Sequence, residues 1–224
     1  MAGKSVMRKA ATATIILSEP VRVDLRLREL GLSTATLTSA LRSGLASAAL
    51  CSPLHPTNFA GLTLWAEAIR WLRDTLMREK GWRQDNAFNL PTVVRGDNGM
   101  AIAVVRGGDG TGDSKAENVS TQYPRGPVMM GRVEVNGILP YDHLPPEYFE
   151  DKTETSVPTW LLMHRKVGGE LACELSFPIT INKSGFVEGW AERICLTSIP
   201  LDPMRMRVLD DEPVDPDVNV RRRA

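Results

Sequence analysis

Apolar residues recur at intervals of three and four over residues 62–76, which is the spacing of one face of an α-helix. Arg78 and Lys80 fall in the last predicted turn, where cations interact favourably with the helix dipole. Gly81 is suited to end this helix because glycine readily adopts the left-handed conformation found there. The pattern predicts a helix with a buried stripe formed by Leu62, Trp65, Ile69, Leu72 and Leu76.

Two further helices are predicted before this one. Pro20 can open a helix over residues 21–30, because its fixed backbone angle suits a first helical turn. Gly31 then ends that helix, and Ser33 is a favourable N-cap for a second helix over residues 34–49. The N-terminal part of the chain is therefore predicted to be mainly helical.

Beyond residue 88 the pattern changes to the alternation that is typical of β-strands. The turn residues Gly96-Asp97-Asn98-Gly99 separate two short apolar runs and predict a hairpin. A second hairpin is predicted over residues 159–177, where Val167-Gly168-Gly169 turns the chain. Single strands complete the set, predicted over residues 12–17, 128–135 and 190–196.

Helices followed by strands predict an α+β fold, because a parallel α/β sheet would alternate the two. We expect N-terminal helices packed on a mostly antiparallel β-sheet. The predicted parts are a lead-in with a short strand (1–19), a helical part (20–87), an antiparallel β part (88–199) and a disordered tail (200–224) that is acidic and proline-rich. A glycine- and aspartate-rich loop at residues 107–127 is predicted to be exposed and mobile.

Composition places the chain among ordinary globular proteins, with 42% hydrophobic and 24% charged residues. No apolar run approaches the roughly 20 residues that a bilayer span requires, so no membrane partner is predicted. The formal net charge is +0. The halves differ, since residues 1–100 carry 13 basic and 8 acidic side chains and residues 101–224 carry 14 and 19. A basic first half can face an anionic partner.

The three cysteines, Cys51, Cys173 and Cys195, are too far apart for a zinc site and too few for a disulfide framework. Their number favours a reducing compartment, and we predict a cytoplasmic protein. Arginine outnumbers lysine by 20 to 7, which is common in proteins from GC-rich genomes and favours a bacterial source.

The segment Leu30-Gly31-Leu32-Ser33, followed by Leu37 and Ala40-Leu41, resembles the helix-turn-helix of bacterial DNA-binding regulators. The resemblance covers about 20 residues. It implies that the second helix faces a DNA groove. The implied groove-facing residues are Thr34, Thr36, Thr38, Ser39 and Arg42. The implied phosphate contacts are Arg22, Arg26 and Arg28. The alternative is a pair of core helices joined by a glycine turn.

The motifs for phosphate binding, calcium binding and catalysis are weaker than the helix-turn-helix resemblance. The glycine-rich stretch at residues 107–115 lacks the Gly-Lys-Ser/Thr ending of a P-loop and the closing glutamate of a calcium loop. Asp97 with the pair Asp113/Lys115 is similar to the two acids and lysine of metal-dependent nucleases. His164 could act as a general base with Glu170 or Glu174 across the second hairpin.

The favoured function is a bacterial cytosolic nucleic-acid-binding accessory protein that uses the helix-turn-helix-like segment 22–44. The alternative is a non-catalytic interaction subunit of a larger bacterial protein assembly. A third possibility is a metal-dependent nuclease or other hydrolase, and the balance of motifs is against an enzyme. DNA is the expected partner, with a protein partner or a second copy of the chain as alternatives. No catalytic residue, cofactor or metal ligand is predicted.

Overall fold

A computed structural model describes residues 13–79, 81–96, 99–138 and 157–201 of the chain. Four α-helices and eight β-strands lie within these ranges. The helices are α1 (Pro20–Glu29), α2 (Thr34–Ala48), α3 (Phe59–Arg78) and α4 (Pro127–Ile138). The strands are β1 (Ile15–Leu17), β2 (Trp82–Asp85), β3 (Thr92–Arg95), β4 (Ala101–Arg106), β5 (Thr159–Val167), β6 (Glu170–Ile181), β7 (Val187–Cys195) and β8 (Ile199–Pro200).

All eight strands belong to one mixed sheet. Seven of them follow the order β1-β7-β6-β5-β4-β3-β2, and β8 pairs with β6 beside this path. Most neighbouring pairs are antiparallel, while β1 with β7 and β4 with β5 are parallel. Parallel strands need a long crossover, and here the chain between β4 and β5 contains the glycine-rich loop and α4.

Each face of the sheet has its own core. Helices α1, α2 and α3 cover one face, where they pack on alternate residues such as Ile102, Leu162 and Leu175. Helix α4 and Val119 of the glycine-rich loop cover the other face. They pack on residues such as Val105 and Met163. The molecule therefore has three layers, with the sheet in the middle.

Helices α2 and α3 approach each other closely at Gly44. A Cβ atom at this position would overlap the backbone carbonyl of Leu64 and would lie 3.3 Å from the Cβ of Ala68. Glycine is costly in most helix interiors. Here it allows the backbones of two helices to come into contact.

The α+β fold class is confirmed, and so are the three N-terminal helices and both hairpins. The turn residues 97–98 of the first hairpin lie outside the described residues. The two predicted parts share one sheet, because β1 precedes the helices and β2 lies within residues 20–87. Most of the predicted tail, residues 202–224, is also outside the described ranges, as are residues 1–12 of the lead-in.

The prediction of a strand over residues 128–135 is wrong, because this segment belongs to α4. Its valines favour a strand by propensity, but tertiary packing overrides that preference. Pro127 occupies the first turn, and the buried positions follow a helical spacing. These buried residues are Met129, Arg132, Val133 and Asn136.

Among the helices that the structure describes, none is both long enough and apolar enough to cross a membrane.

Replacing Gly44 with alanine should destabilise the protein by about 1–3 kcal/mol, because the new methyl group overpacks the α2–α3 contact. The matched control is Gly131→Ala in α4, where nothing lies within 4 Å of the new Cβ. That control should stabilise the protein by about 0.5–1 kcal/mol through helix propensity. Urea unfolding of both variants gives the comparison, and equal effects at the two sites would contradict the close contact.

Candidate nucleic-acid interface and the buried charges beneath it

The helix-turn-helix-like segment forms two helices joined by a tight turn. Gly31 adopts a positive φ of 70°, which glycine tolerates without strain. The Ser33 hydroxyl caps α2 by accepting a hydrogen bond of 3.1 Å from the backbone N–H of Thr36. Leu27, Leu37 and Leu41 are fully buried and dock both helices on the sheet.

Arg26 fastens α1 to strand β7. Its Nε donates to Glu192 Oε1 at 2.9 Å, and its Nη2 donates to Glu192 Oε2 at 3.0 Å. A third bond joins its Nη1 to Glu29 at 2.8 Å. The Glu192 side chain is almost completely buried. Arg26 therefore neutralises a buried carboxylate. Its guanidinium is not available for the phosphate contact that the helix-turn-helix resemblance implied.

The hydroxyl groups predicted to face a groove are divided by the fold. Thr38 is buried, and its hydroxyl donates to the carbonyl of Thr34 at 2.9 Å within the same helix. The Thr34 hydroxyl donates to Asp24 of α1 at 2.7 Å. Thr36 and Ser39 are partly exposed on α2. Of the two, the Thr36 hydroxyl is hydrogen-bonded to the Ser33 hydroxyl at 2.8 Å. Both nevertheless lie on the accessible side of α2, unlike Thr38.

Arg22, Arg28 and Arg42 are exposed on α1 and α2. Within the described part of the chain, no carboxylate forms an ion pair with any of them. Four arginines of the helix pair were predicted to contact DNA. Three of them are exposed to solvent, and none of the three is paired with an acidic side chain in the described part of the chain.

A second basic residue, Arg106, lies at the end of β4 beside β5. Arg106 of β4 is directly opposite His164 of β5, and His164 is opposite Cys173 of β6. The Arg106 guanidinium lies 6.0 Å from the ring centroid of Tyr123. These residues form a row across three strands on the face that α1–α3 cover, since Val104 and Leu162, two residues earlier, belong to that core.

His164 is buried, and its Nε2 atom has no hydrogen-bond partner. Burial lowers the pKa of His164 to about 4, and the charge of Arg106 acts in the same direction. The imidazole is therefore neutral at pH 7. The burial of Cys173 raises the pKa of its thiol to about 12, with Glu174 adding to the effect and Arg42 opposing it.

The general-base pairing predicted for His164 is wrong. Glu174 is next to Cys173 on β6 and therefore points to the opposite face of the sheet, where it bonds Arg193. Glu170 lies at the hairpin end of β6 and accepts from the Ser198 hydroxyl. Cys173 does not form a nucleophile–base pair with His164 either, because its Sγ donates to the carbonyl of Thr197 at 3.6 Å.

A buried ion pair joins β6 to β7 on the α4 side of the sheet. Arg193 Nη2 donates to Glu174 Oε2 at 2.6 Å, and Arg193 Nε donates to Glu174 Oε1 at 3.1 Å. Ser176 adds a third hydrogen bond to the same carboxylate. Burial lowers the pKa of Arg193, but the hydrogen bonds and charge of Glu174 more than offset this effect and the net direction is upward.

This ion pair also holds the glycine-rich loop. The Arg193 guanidinium donates to the backbone carbonyls of Gly110, Asp113 and Ala116 at 3.0–3.2 Å. In return, the backbone N–H of Gly112 donates to Glu174 Oε2 at 2.8 Å. The structure therefore differs from the prediction of a mobile loop, because the loop backbone is bonded to a buried charge pair.

Two of the three nuclease-like residues lie on the surface of the glycine-rich loop. Asp113 and Lys115 are exposed on the loop, and the Asp113 carboxylate accepts from the backbone N–H of Lys115. Asp97 lies outside the described residues. Across those residues, no three His, Cys, Asp or Glu side chains come together as a group able to hold a metal ion.

The sequence analysis did not identify Arg106 or Arg193, and it assigned Glu174 to His164 and not to the ion pair with Arg193. Glu174 and Arg193 have opposite charges and interrupt apolar runs that predict neighbouring strands. That combination is a signal for a buried ion pair, because an unpaired charge in such a run would be very costly. Arg106 carries no comparable signal, since it simply ends a strand.

No family model matches the chain, no curated protein matches it, and no solved structure matches its fold.

Substituting Arg193 with methionine should destabilise the protein by about 3–5 kcal/mol, because the variant leaves the Glu174 carboxylate buried and unpaired. Hydrogen exchange at the Gly112 amide should accelerate by more than the change in global stability explains. The control is Arg165→Met, which breaks an ion pair to the exposed Asp109 and should cost less than about 1 kcal/mol. Unchanged exchange in the Arg193 variant would show that the loop is held by other contacts.

Proposed function

We propose that the protein binds nucleic acid through phosphate contacts made by Arg22, Arg28 and Arg42. The observation that carries this proposal is the exposure of these three arginines without a carboxylate partner among the described residues. Arginine binds phosphate well because its planar guanidinium offers several fixed donors and stays charged. The proposal is narrower than the helix-turn-helix resemblance, since Arg26 and Thr38 are excluded from it.

Many of the other described arginines differ from these three, because they are already bonded to groups within the protein. Many of them already have an acidic partner, and Arg73 instead binds the backbone carbonyls of Asp85 and Thr92. The arginines paired with acids are Arg26, Arg70, Arg78, Arg132, Arg165 and Arg193. Among the arginines that the structure describes, Arg22, Arg28 and Arg42 on α1 and α2 are exposed and have no acidic partner in the described part of the chain.

Phosphate contacts predict a specific dependence on salt. When the logarithm of the DNA affinity is plotted against the logarithm of the salt concentration, each phosphate contact adds about −0.9 to the slope. Three contacts therefore predict a slope of about −2.7. Thr36 and Ser39 are the remaining candidates for contacts to bases, because both are accessible on the same helix as Arg42.

Changing Arg22, Arg28 and Arg42 together to glutamine should abolish most of the salt dependence and weaken binding at low salt. Fluorescence anisotropy with a labelled DNA duplex, repeated at several salt concentrations, measures both quantities. The matched control is Arg70→Gln with Arg78→Gln. These two residues are also exposed arginines of a helix, but they are paired with Glu67 and Asp74.

The control variant should bind like the wild type. If both variants lose the same amount of DNA affinity, the overall positive charge of the protein, and not this surface, attracts the DNA. An absence of binding by the wild type at low salt would overturn the proposed function.

A second candidate function is a non-catalytic interaction subunit. It is supported by two apolar side chains that lie one helical turn apart and are exposed on α1, Val21 and Leu25. Exposed apolar patches are typical of protein interfaces. If the patch joins two copies of the chain, sedimentation velocity should show concentration-dependent association that Val21→Ser with Leu25→Ser abolishes.

The control for that experiment is Val167→Ser, which removes an equally exposed apolar side chain at the β5–β6 hairpin. A monomer at every concentration would contradict self-association through this patch.

A further inference from the structure

We propose that the open edge of β2 and the groove beside it form a docking site for an extended peptide segment of a partner protein. The segment adds as a strand to β2, and every second side chain enters the groove between β2 and α3. It carries one acidic side chain, with apolar side chains two positions before and two positions after it. The site uses none of the proposed nucleic-acid contacts, so it does not depend on the proposed function.

Strand β2 is the last strand of the sheet, and its outer edge has no strand partner within the described ranges. The backbone N–H of Gly96 donates to the carbonyl of Gly81, just before β2, so the backbone of Gly81 points towards β3. Along an antiparallel strand, the backbone groups of successive residues point alternately towards the partner and away from it. The N–H and C=O groups of Trp82 and Gln84 therefore point away from β3, where they can bond an added strand.

A groove of about 450 Å³ lies between α3 and the β2–β3 hairpin. Its apolar and uncharged lining residues are Trp65, Ile69 and Met77 from α3 and Gln84 and Pro91 from the hairpin. The α3 wall from Trp65 to Met77 is about 18 Å long, at roughly 1.5 Å per residue. An extended segment of about five residues has a similar length, so the groove matches a short strand.

Trp65 is a preformed part of the groove wall. Its indole Nε1 donates to the carbonyl of Val104 at 3.0 Å. By the register of β3 and β4, Val104 lies opposite Pro91, which has no N–H to donate. Trp65 therefore bonds a strand carbonyl that β3 leaves unpaired. Because the indole is already fixed, binding a peptide against it costs little additional side-chain entropy.

Arg73 gives the groove a preference for an anion. Its Nε donates to the carbonyl of Thr92 at 3.0 Å, and its Nη2 donates to the carbonyl of Asp85 at 2.6 Å. No carboxylate of the described residues forms an ion pair with it. Burial lowers the pKa of Arg73, and the charge of Asp85 only partly opposes this effect. A carboxylate in the groove therefore meets a cation whose charge no ion pair compensates.

The other charged side chains that line the groove, Arg70 and Asp74, are already paired along α3. Arg70 Nε is 2.7 Å from Glu67 Oε2, and Asp74 Oδ2 is 2.9 Å from Arg78 Nη2. These pairs leave Arg73 as the lining residue that selects the charge of the ligand, and the charge that it selects is negative.

The spacing of side chains along α3 matches the spacing along a strand. Ile69 and Met77 lie four residues before and after Arg73, which is about 6 Å in each direction along the helix axis. Side chains two positions apart on one face of a strand are separated by about 6.6 Å. An acidic side chain opposite Arg73 therefore places its neighbours on the same face opposite Ile69 and Met77. This geometry predicts the pattern apolar–x–acidic–x–apolar in the peptide.

The first probe is a library of random heptapeptides displayed on phage and selected for binding to the full chain. The selected peptides should share an acidic residue that has apolar residues two positions on either side of it. The strongest binder is then synthesised together with a matched peptide in which the acidic residue is replaced by its amide. Selection without enrichment of any sequence, or enrichment without an acidic residue, overturns the proposal.

Arg73→Gln tests the charge contact. This variant should bind the acidic peptide at least about tenfold more weakly than the wild type does, because a charged hydrogen bond is lost. The amide peptide should bind both proteins equally, which shows that the groove is intact although Arg73 also holds two backbone carbonyls. Arg73→Lys retains the charge and should retain the preference for the acidic peptide. Equal loss of both peptides in Arg73→Gln would contradict the contact.

Gln84→Pro tests the strand addition. Proline removes the N–H that points away from β3, and an edge strand tolerates proline at such a position. The variant should unfold at nearly the same urea concentration as the wild type. It should bind the peptide at least about tenfold more weakly, because a peptide carbonyl loses its donor. Gln84→Ala is the matched control, since it removes the side chain but keeps the N–H, and should bind like the wild type. Full affinity in Gln84→Pro would exclude an added strand.

The methyl signal of Met77 locates the bound peptide. Carbon-13 labelling of the methionine methyl groups makes Met77 a reporter in the groove, while the buried Met100 and Met163 serve as references. The peptide should shift the Met77 signal, which a Met77→Leu variant assigns, and leave the two references unchanged. Peptide binding with an unchanged Met77 signal would place the site elsewhere and overturn the proposal.

The chain itself contains one segment with the predicted spacing, in Leu209, Asp211 and Pro213. Leu209→Ser with Asp211→Asn, made in the full chain, should change neither the Met77 signal without peptide nor the affinity for the peptide. A shifted Met77 signal together with tighter peptide binding would show that this segment occupies the groove, and would overturn the assignment to a partner protein.

Discussion

The buried ion pair between Glu174 and Arg193 holds the glycine-rich loop against one side of the sheet. Its two side chains are almost fully buried and satisfy each other through two hydrogen bonds. The donors that remain on Arg193 bind three carbonyls of the glycine-rich loop. Two of these carbonyls, those of Gly110 and Asp113, also accept turn hydrogen bonds from the backbone N–H groups of Asp113 and Ala116. The buried cation therefore reinforces the turns of the loop.

Adjacent residues of β7 attach the two outer layers to the sheet. Glu192 and Arg193 follow each other along the strand and point to opposite faces. Glu192 holds α1 through Arg26, and Arg193 holds the loop through its carbonyl contacts. The proposed interface depends on this arrangement, because the bond from Arg26 to Glu192 helps to set the position of α1, and with it the exposure of Arg22 and Arg28.

The periodicity of the chain predicted the helices and hairpins well, because those elements are defined by local spacing and by turn residues. It failed at residues 128–135, where β-branched residues favour a strand and only the tertiary packing of Met129 and Val133 selects a helix. It also failed for the row of Arg106 and His164. Their contact depends on a parallel pairing across a long crossover, and no local pattern in the sequence encodes that register.

The short strand β1 has a consequence for how the protein folds. The hydroxyl of Thr14, just before β1, donates to the carbonyl of Trp190 in β7, a partner 176 positions away along the chain. Contacts between such distant segments require a large loop to close, and folds that depend on them form slowly. We therefore expect the edge of the sheet and the docking of α1 on Glu192 to form late in folding.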